Sequence, residues 1–234
     1  MATIKEELDD AALECGLSAP GSWLSTSDPT ATEVVAFLRA VVRDLLDRHD
    51  WTGASTTATL TAVGETSSWT LPAGFSRLQR GANAVYEISP NRRPMIALNN
   101  DGDWNELQAW SFAGAQRYYR KTATALEFYR PLPNGATAKI TYVNRNWITG
   151  GTSTWTTEAT DTAIFPEGLL RFGVIYRWRR QKGMRFADEQ AEYEAILARA
   201  IREDRPRLSI STTGPTGELT HPMRVPVPDF IPSS

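Results

Sequence analysis

Two adjoining apolar rows, Leu169, Phe172 and Tyr176 beside Leu170, Val174 and Trp178, recur at helical spacing inside DTAIFPEGLLRFGVIYRWRRQKGMRFADEQAEYEAILARAIRED, residues Asp161 to Asp204. Together they form one broad apolar face, so this helix must pack on something. Its limits read as Pro166 to Lys182, with proline tolerated near a helix start, Glu167 suited to the positive end of the dipole and Gly183 as the stop. A second, acidic amphipathic helix is expected from Ala187 to Arg202. Arg171, Arg177, Arg179, Arg180, Lys182 and Arg185 crowd the first helix and its end, whereas Asp188, Glu189, Glu192, Glu194, Glu203 and Asp204 crowd the second. Charge is thus segregated by helix. Either the neighbours neutralise each other, or the basic face meets an acidic or phosphate-bearing partner.

A chain of 234 residues, 41% of them hydrophobic, can bury a sizeable core as one large domain or two small ones. The formal net charge of -2 excludes a polyanion binder of the globally basic kind. The single Cys15 leaves no internal disulfide or thiolate cluster and reads as a small core residue of a protein folding in a reducing cytoplasm. No apolar run is long enough for a signal peptide or a membrane span, and no membrane partner is expected. Aromatics scattered beside Gly, Thr and Ser instead of in helical rows suit interfaces.

Along the chain, Ile4, Leu8, Ala11 or Ala12 and Cys15 mark a first short helix closed by Gly16. Val34, Leu38, Val41, Val42, Leu45 and Leu46 mark a second, from Thr30 to His49, with Thr30 and Glu33 at capping-box spacing. From Trp51 to Trp147 the texture is that of strands and turns. Strands are expected over Thr56 to Val63, Ala82 to Ile88 and Pro94 to Leu98, and a hairpin is expected to pair Ala125 to Tyr129 with Ala138 to Val143 across Asn134 and Gly135. Asp103 and Glu106 suggest a short helix from Trp104 to Trp110. Beyond Asp204 prolines 206, 215, 222, 226, 228 and 232 favour an extended arm, whose Leu208, Ile210, Met223, Val225, Val227, Phe230 and Ile231 are too apolar for a plain linker.

Signatures of catalysis are missing. His49 and His221 are the only histidines, and neither has a nucleophile in a recognisable local frame. There is no P-loop, dinucleotide fingerprint or zinc-protease motif. DGDWNE, from Asp101, begins like a calcium loop but carries Glu106 where glycine is needed and Phe112 where the closing acid belongs. No metal, cofactor or catalytic residue is expected. Trp51, Trp69, Trp104, Trp110, Trp147 and Trp155 could stack on sugars, though core or interface anchoring is the commoner use.

Four stretches together resemble the phage head-to-tail connector, or adaptor, proteins of short-tailed and related phages, the class of tail accessory factors and tubular tail proteins below the portal. They are RDLLDRHDW at Arg43, LPAGFSRL at Leu71, LEFYRPLPNGATAKITYVNRNWI at Leu126 and the Asp161 to Asp204 block. The resemblance covers nearly all of residues 30 to 205. It implies an α+β fold: a helical bundle from the N-terminal (1–50) and C-terminal (161–205) segments, an inserted antiparallel β domain (51–160) and an extended docking arm (206–234). It also implies a ring, commonly of twelve copies, lying in the virion neck between the portal protein above and a tail or nozzle protein below, with genome DNA passing through its lumen, and assembled in the host bacterial cytoplasm. Arg177, Arg179, Arg180 and Arg185 are then expected to meet a neighbouring subunit or the portal, and Met223, Val225, Val227, Phe230 and Ile231 to dock as an extended apolar strand. The rival readings are a Trp-rich carbohydrate- or receptor-binding tail module, and a cell-wall hydrolase with a carboxylate such as Glu158 or Asp161.

Overall fold

The computed structural model describes residues 2–25, 27–80, 84–109, 116–150 and 161–204. Helix α1 (Ile4–Glu14) opens on a reciprocal cap, in which Thr3 accepts from the Glu6 amide at 3.2 Å and the Glu6 carboxylate accepts from the Thr3 amide at 2.7 Å. It stops where Gly16 takes a positive φ. Helix α2 (Pro29–Arg48) begins one residue earlier than its apolar pattern suggests. Asp28, not Thr30, is its cap, accepting from the Thr30 amide at 3.0 Å, and Pro29 fits the first turn because its missing N–H costs nothing there. Glu33 is thereby released from capping and instead bonds Lys182 at 2.8 Å and Gln181 at 2.8 Å.

Helix α4 (Leu169–Gln181) is shorter than the expected Pro166 to Lys182, since Gly168 turns into the left-handed region at φ 82° and the helix starts only beyond it. Its end is a two-bond glycine cap: the Gly183 amide donates to the Arg180 carbonyl at 3.3 Å and the Met184 amide to the Arg179 carbonyl at 2.9 Å. Helix α5 (Ala187–Asp204) runs two residues past the expected Arg202. The broad apolar face of α4 is covered by three neighbours, α1, α2 and α5. At Gly173 α2 and α5 approach its backbone closely. A β-carbon there would lie 2.7 and 2.9 Å from the two methyl groups of Val41 and 3.1 Å from the Tyr193 ring.

Between α2 and α4 the chain forms strands β1 (Ser55–Thr61), β2 (Thr66–Thr70), β3 (Phe75–Leu78), β4 (Val85–Ser89), β5 (Arg93–Pro94) and β6 (Ile96–Ala97), then helix α3 (Asp101–Ala109) and strands β7 (Tyr118–Lys121), β8 (Ala125–Leu132) and β9 (Thr137–Asn144). The architecture is α+β. One sheet has the order β1-β9-β4-β5 with β3 also on β9, and the other the order β2-β8-β7-β6. All described pairings are antiparallel except β6 with β7.

The expected hairpin between Ala125–Tyr129 and Ala138–Val143 does not form. A turn forms there, with Gly135 at φ 77° but Asn134 not in the positive-φ region, and with the Ala136 amide donating to the Pro133 carbonyl at 3.0 Å. The strands it joins, however, enter different sheets. Leu126, Phe128 and Leu132 of β8 and Ala138, Ile140 and Tyr142 of β9 are buried in one apolar cluster, so the two strands face each other across the core instead of pairing edge to edge. The stretch expected as one strand from Pro94 to Leu98 is divided similarly, because buried Met95 carries the chain from β5 in the first sheet to β6 in the second. Helix α3 begins before Trp104, with the Asn100 side chain accepting from the Gly102 amide at 2.9 Å, and Trp110 lies outside the described residues.

Glu87 of β4, wholly buried, crosses between the sheets to the Arg117 guanidinium at 2.9 Å, and Arg117 also donates to the carbonyls of Arg130 and Pro131. A second apolar cluster unites the four long helices with Trp51, Ala54, Val143, Trp147, Ile148 and Phe165, so the end of β9 is rooted in the bundle.

Gly173→Ala is expected to destabilise the fold by about 1–3 kcal/mol, because the added methyl must displace α2 or α5 from close packing. Urea unfolding tests this; addition of Val41→Ala should recover part of the loss, and an unperturbed single variant would show that the helices are not closely apposed.

Candidate functional site

The basic helix turns most of its charge inward on its own chain. Arg171 pairs with Asp10 and Glu14 of α1, Arg177 with Asp44 of α2 at 3.6 Å, Arg179 with Glu189 of α5 and Lys182 with Glu33 of α2 at 2.8 Å. Asp44 is a shared node that also holds Arg48 at 3.0 Å and accepts from the Tyr193 hydroxyl at 3.3 Å. Arg185 pairs with Asp188 on the exposed turn into α5 at 2.9 Å. Arg180 is exposed and makes no ion pair among the described residues. Of the four arginines singled out from sequence, two are therefore half-buried in intramolecular pairs and two lie on the surface. Met223, Val225, Val227, Phe230 and Ile231 lie outside the described residues.

The start of α4 has no side-chain cap of its own, and Glu7 of α1 supplies it. Its carboxylate accepts from the Gly168 amide at 2.7 Å and the Arg171 amide at 3.0 Å, so α1 is fastened to the positive end of α4. Burial pushes the Glu7 carboxyl above its usual range, against the pull of those two donors. Glu7 carries a legible sign in the sequence: it falls in the same helical stripe as Ile4, Leu8 and Ala11.

At the other end of α2 two arginines from the β region clasp the helix terminus. Arg77 of β3 donates to the carbonyls of Leu46 at 2.9 Å and His49 at 3.2 Å and pairs with Asp50, while Arg80 donates to the carbonyls of Arg48, at 2.9 Å, and Asp47. The Arg80 amide donates to Asp50 at 2.7 Å. Guanidinium groups suit these otherwise unpartnered carbonyls at the negative end of the dipole. Nothing in the local sequence marks Arg77 or Arg80, because their partners lie about thirty residues away.

Beside this clasp a cleft of about 410 Å³ opens between α2 and the β region. Arg39, Arg43 and Asp47 line it from successive turns of α2, Arg145 and Ser76 from the other wall, and Val42, Leu46 and Trp147 form its floor. Its rim is cationic and its floor apolar, a combination suited to a protein surface.

The residues that a catalytic or sugar-binding reading needs are engaged elsewhere. The His49 ring lies 3.0 Å from the carboxylate of Asp204, the last residue of α5, and edge-on to Trp51. Asp101 and Asp103 lie on a helix, not in a chelating loop. Among the described residues no group of three or more His, Cys, Asp or Glu side chains is arranged to hold a metal ion. Trp51 and Trp147 are buried in the bundle core and Trp104 against Tyr129, leaving half-buried Trp69, packed against the core between the sheets, as the partly accessible member of the described set. Trp155, Glu158 and His221 lie outside the described residues, and the Asp161 carbonyl accepts from the Ile4 amide at 2.8 Å.

A family model described as SU10 adaptor protein matches residues 2–218. No curated protein matches the chain.

Arg77→Leu is expected to cost about 1–3 kcal/mol, since it strips two helix-end carbonyls of their guanidinium donor and Asp50 of its ion-pair partner. Denaturant titration should show this, and an unchanged midpoint would remove the clasp from the junction. Burial raises the half-buried Cys15 thiol to about 11. Its alkylation at pH 8 should be at least about tenfold slower than that of a free cysteine and still accelerate above pH 9; a rate that levels off near pH 9 would contradict the burial.

Proposed function

The chain belongs to the SU10 adaptor protein family, and from that premise we propose that it closes into a ring between portal and tail, with genome DNA passing through its lumen. Family membership makes it a structural phage adaptor, a component of the virion that contacts other proteins of the neck. The match carries the reading because it runs through the helical bundle and the β region alike, instead of covering one motif. A structural part of this kind has no call for catalysis.

In the proposed ring residues 1–50 and 161–205 form the bundle, 51–160 the lower β domain and 206–234 a docking arm. The ring holds twelve copies and is assembled in the host bacterial cytoplasm, with the portal above and a tail or nozzle protein below. Heterologous contacts close a ring only when the rotation per subunit divides a full turn. The inward pairing of α4 supports a passive lumen: cations already satisfied by Asp10, Glu14, Glu33, Asp44 and Glu189 are poorly placed to grip phosphate, and each phosphate they neutralised would add salt-dependent affinity and slow passage. Arg180 and Arg185, on the surface, are the members of the basic set best placed to meet a neighbouring subunit or the portal, with Arg177 and Arg179 behind them. Met223 to Ile231 docks as an extended apolar segment.

Mass measurement of the full-length protein, alone and mixed with its portal, tests this. A ring that forms by itself or on the portal is the expected result, and removal of residues 206–234 should weaken it. A lasting monomer that ignores the portal would refute the adaptor ring.

A further inference from the structure

We infer that residues Pro222–Pro232 of a neighbouring copy add to the free edge of β1 as an outermost strand, an inference that rests on the adaptor reading for the presence of that neighbour. In HPMRVPVPDFIP, the prolines fall at 222, 226, 228 and 232, all of one parity. Alternate residues of an extended chain turn their N–H and C=O groups to the same edge. Every missing donor therefore lies on one edge, while the N–H groups of Met223, Val225, Val227, Asp229 and Ile231 line the other. Such a segment can bond a sheet through one side only, and it seals the sheet it joins, because proline blocks further pairing. Its side chains sort the same way, with Met223, Val225, Val227, Asp229 and Ile231 on one face, apolar but for Asp229, and Arg224, Phe230 and the prolines on the other.

Among the described residues one edge is of matching length. β1 pairs with β9 along Ser55–Thr61 in an unbroken register and with no other strand among the described residues. STTATLT contains no proline, glycine or charge, so it lacks the devices that normally protect an edge. The competing edges are poorer: the register of β2 shifts between Thr66 and Ser68, and β5 and β6 are two residues each. Ala58 and Leu60 of β1 are half-buried at the rim of the apolar cluster between the sheets. The row of Met223, Val225, Val227 and Ile231 would extend that rim, and main-chain bonds would supply affinity while these side chains supply register.

The arm also starts in the right place. Asp204 accepts from the Thr52 amide at 3.0 Å and its carbonyl from the Thr52 hydroxyl at 3.2 Å, so the last described residue lies beside the chain that enters β1. Residues 205–221 can span about 55 Å when extended, whereas β1 itself is about 23 Å long. That reach exceeds what a return onto the same chain's β1 needs and suits the equivalent edge of the next copy.

Amide hydrogen exchange on full-length protein, at the concentration where it assembles, tests the inference through the parity of the prolines. The β1 amides that face away from β9 are expected to exchange at least about tenfold faster in the Val225→Pro/Val227→Pro variant than in the wild type, and Arg224→Pro, which removes a donor from the non-bonding edge, should retain protection. Equal exchange in all three proteins overturns the docking. When isotope-labelled double-proline chain is mixed with unlabelled wild type, its β1 should gain protection from its neighbour's arm; β1 left unprotected in the labelled chain overturns donation between copies. The two readings separate in the mass measurement: a ring with β1 equally exposed in every variant removes this inference alone, whereas protected β1 in a protein that never joins a ring removes the adaptor ring.

Discussion

The approach of three helices at Gly173 sets the geometry on which the rest of the molecule depends. With no β-carbon there, the Val41 methyl groups and the Tyr193 ring reach the backbone of α4, and α2 and α5 can both lie against one turn of it. That proximity gives the charges their partners. Asp44, three residues along from Val41, is brought within reach of Arg48, Arg177 and Tyr193, and farther along α4 the same packing sets Lys182 against Glu33. These pairs are partly exposed and weak one by one. Their collective effect is to fix which face of α4 meets which neighbour, and to leave little of its charge for anything outside. Burial of the Leu169, Leu170, Val174, Ile175 and Trp178 side chains supplies the larger stabilisation.

Two helix ends then fasten the elements together, one within the bundle and the other between the bundle and the β region. Glu7 closes the start of α4, where desolvation of its carboxylate opposes the gain from two charge-assisted hydrogen bonds. Because burial outweighs those bonds, the group holds its proton more tightly in the fold than in the open chain. Its contribution is therefore greatest at low pH and declines as pH rises through the folded value. Arg77 and Arg80 close the end of α2 with the opposite charge, matching the opposite end of the dipole. Since β3 pairs with β9, and β9 carries Val143 into the bundle core, the β region is held to the bundle by both a polar clasp and an apolar root.

Legibility follows the range of the interaction. Val34, Leu38, Val41, Val42, Leu45 and Leu46 repeat within one helix, so their periodicity alone marks α2, and Gly16 and Gly183 mark helix ends because the left-handed backbone they adopt is a local requirement. Caps are local too, yet Asp28 outcompetes Thr30 since Pro29 prefers the first turn. Strands β1, β4, β8 and β9 are readable as strands, whereas the short β2, β3 and β7 are not marked out and no strand's partner is legible: Asn134 and Gly135 specify a turn but not whether it closes a hairpin or crosses between sheets. That choice is made by Leu126, Phe128, Ala138 and Ile140, which bury more by facing one another. Arg77, Arg80 and Gly173 act on residues remote in sequence, and no spacing rule reaches them. The adaptor resemblance rested on the order of several such stretches, and it was this order, running through bundle and β region together, that the family match spans.

The crossing at residues 133–136 also explains why β1 is left as an edge. Had β8 and β9 paired, β9 would have used one side on β8 and the β region would have been a single meander. Instead β9 is flanked on one side by β1 and on the other by β4 and β3, which makes it an interior strand of its sheet and places β1 outermost. An outermost strand with seven uncharged residues is a hazard for a protein that stays alone. In the proposed ring it would be a resource, because an arm docked on β1 would cover the edge and turn its four prolines outward. Pairing interrupted in that way would end at each contact, where continuing pairing would lead to fibres.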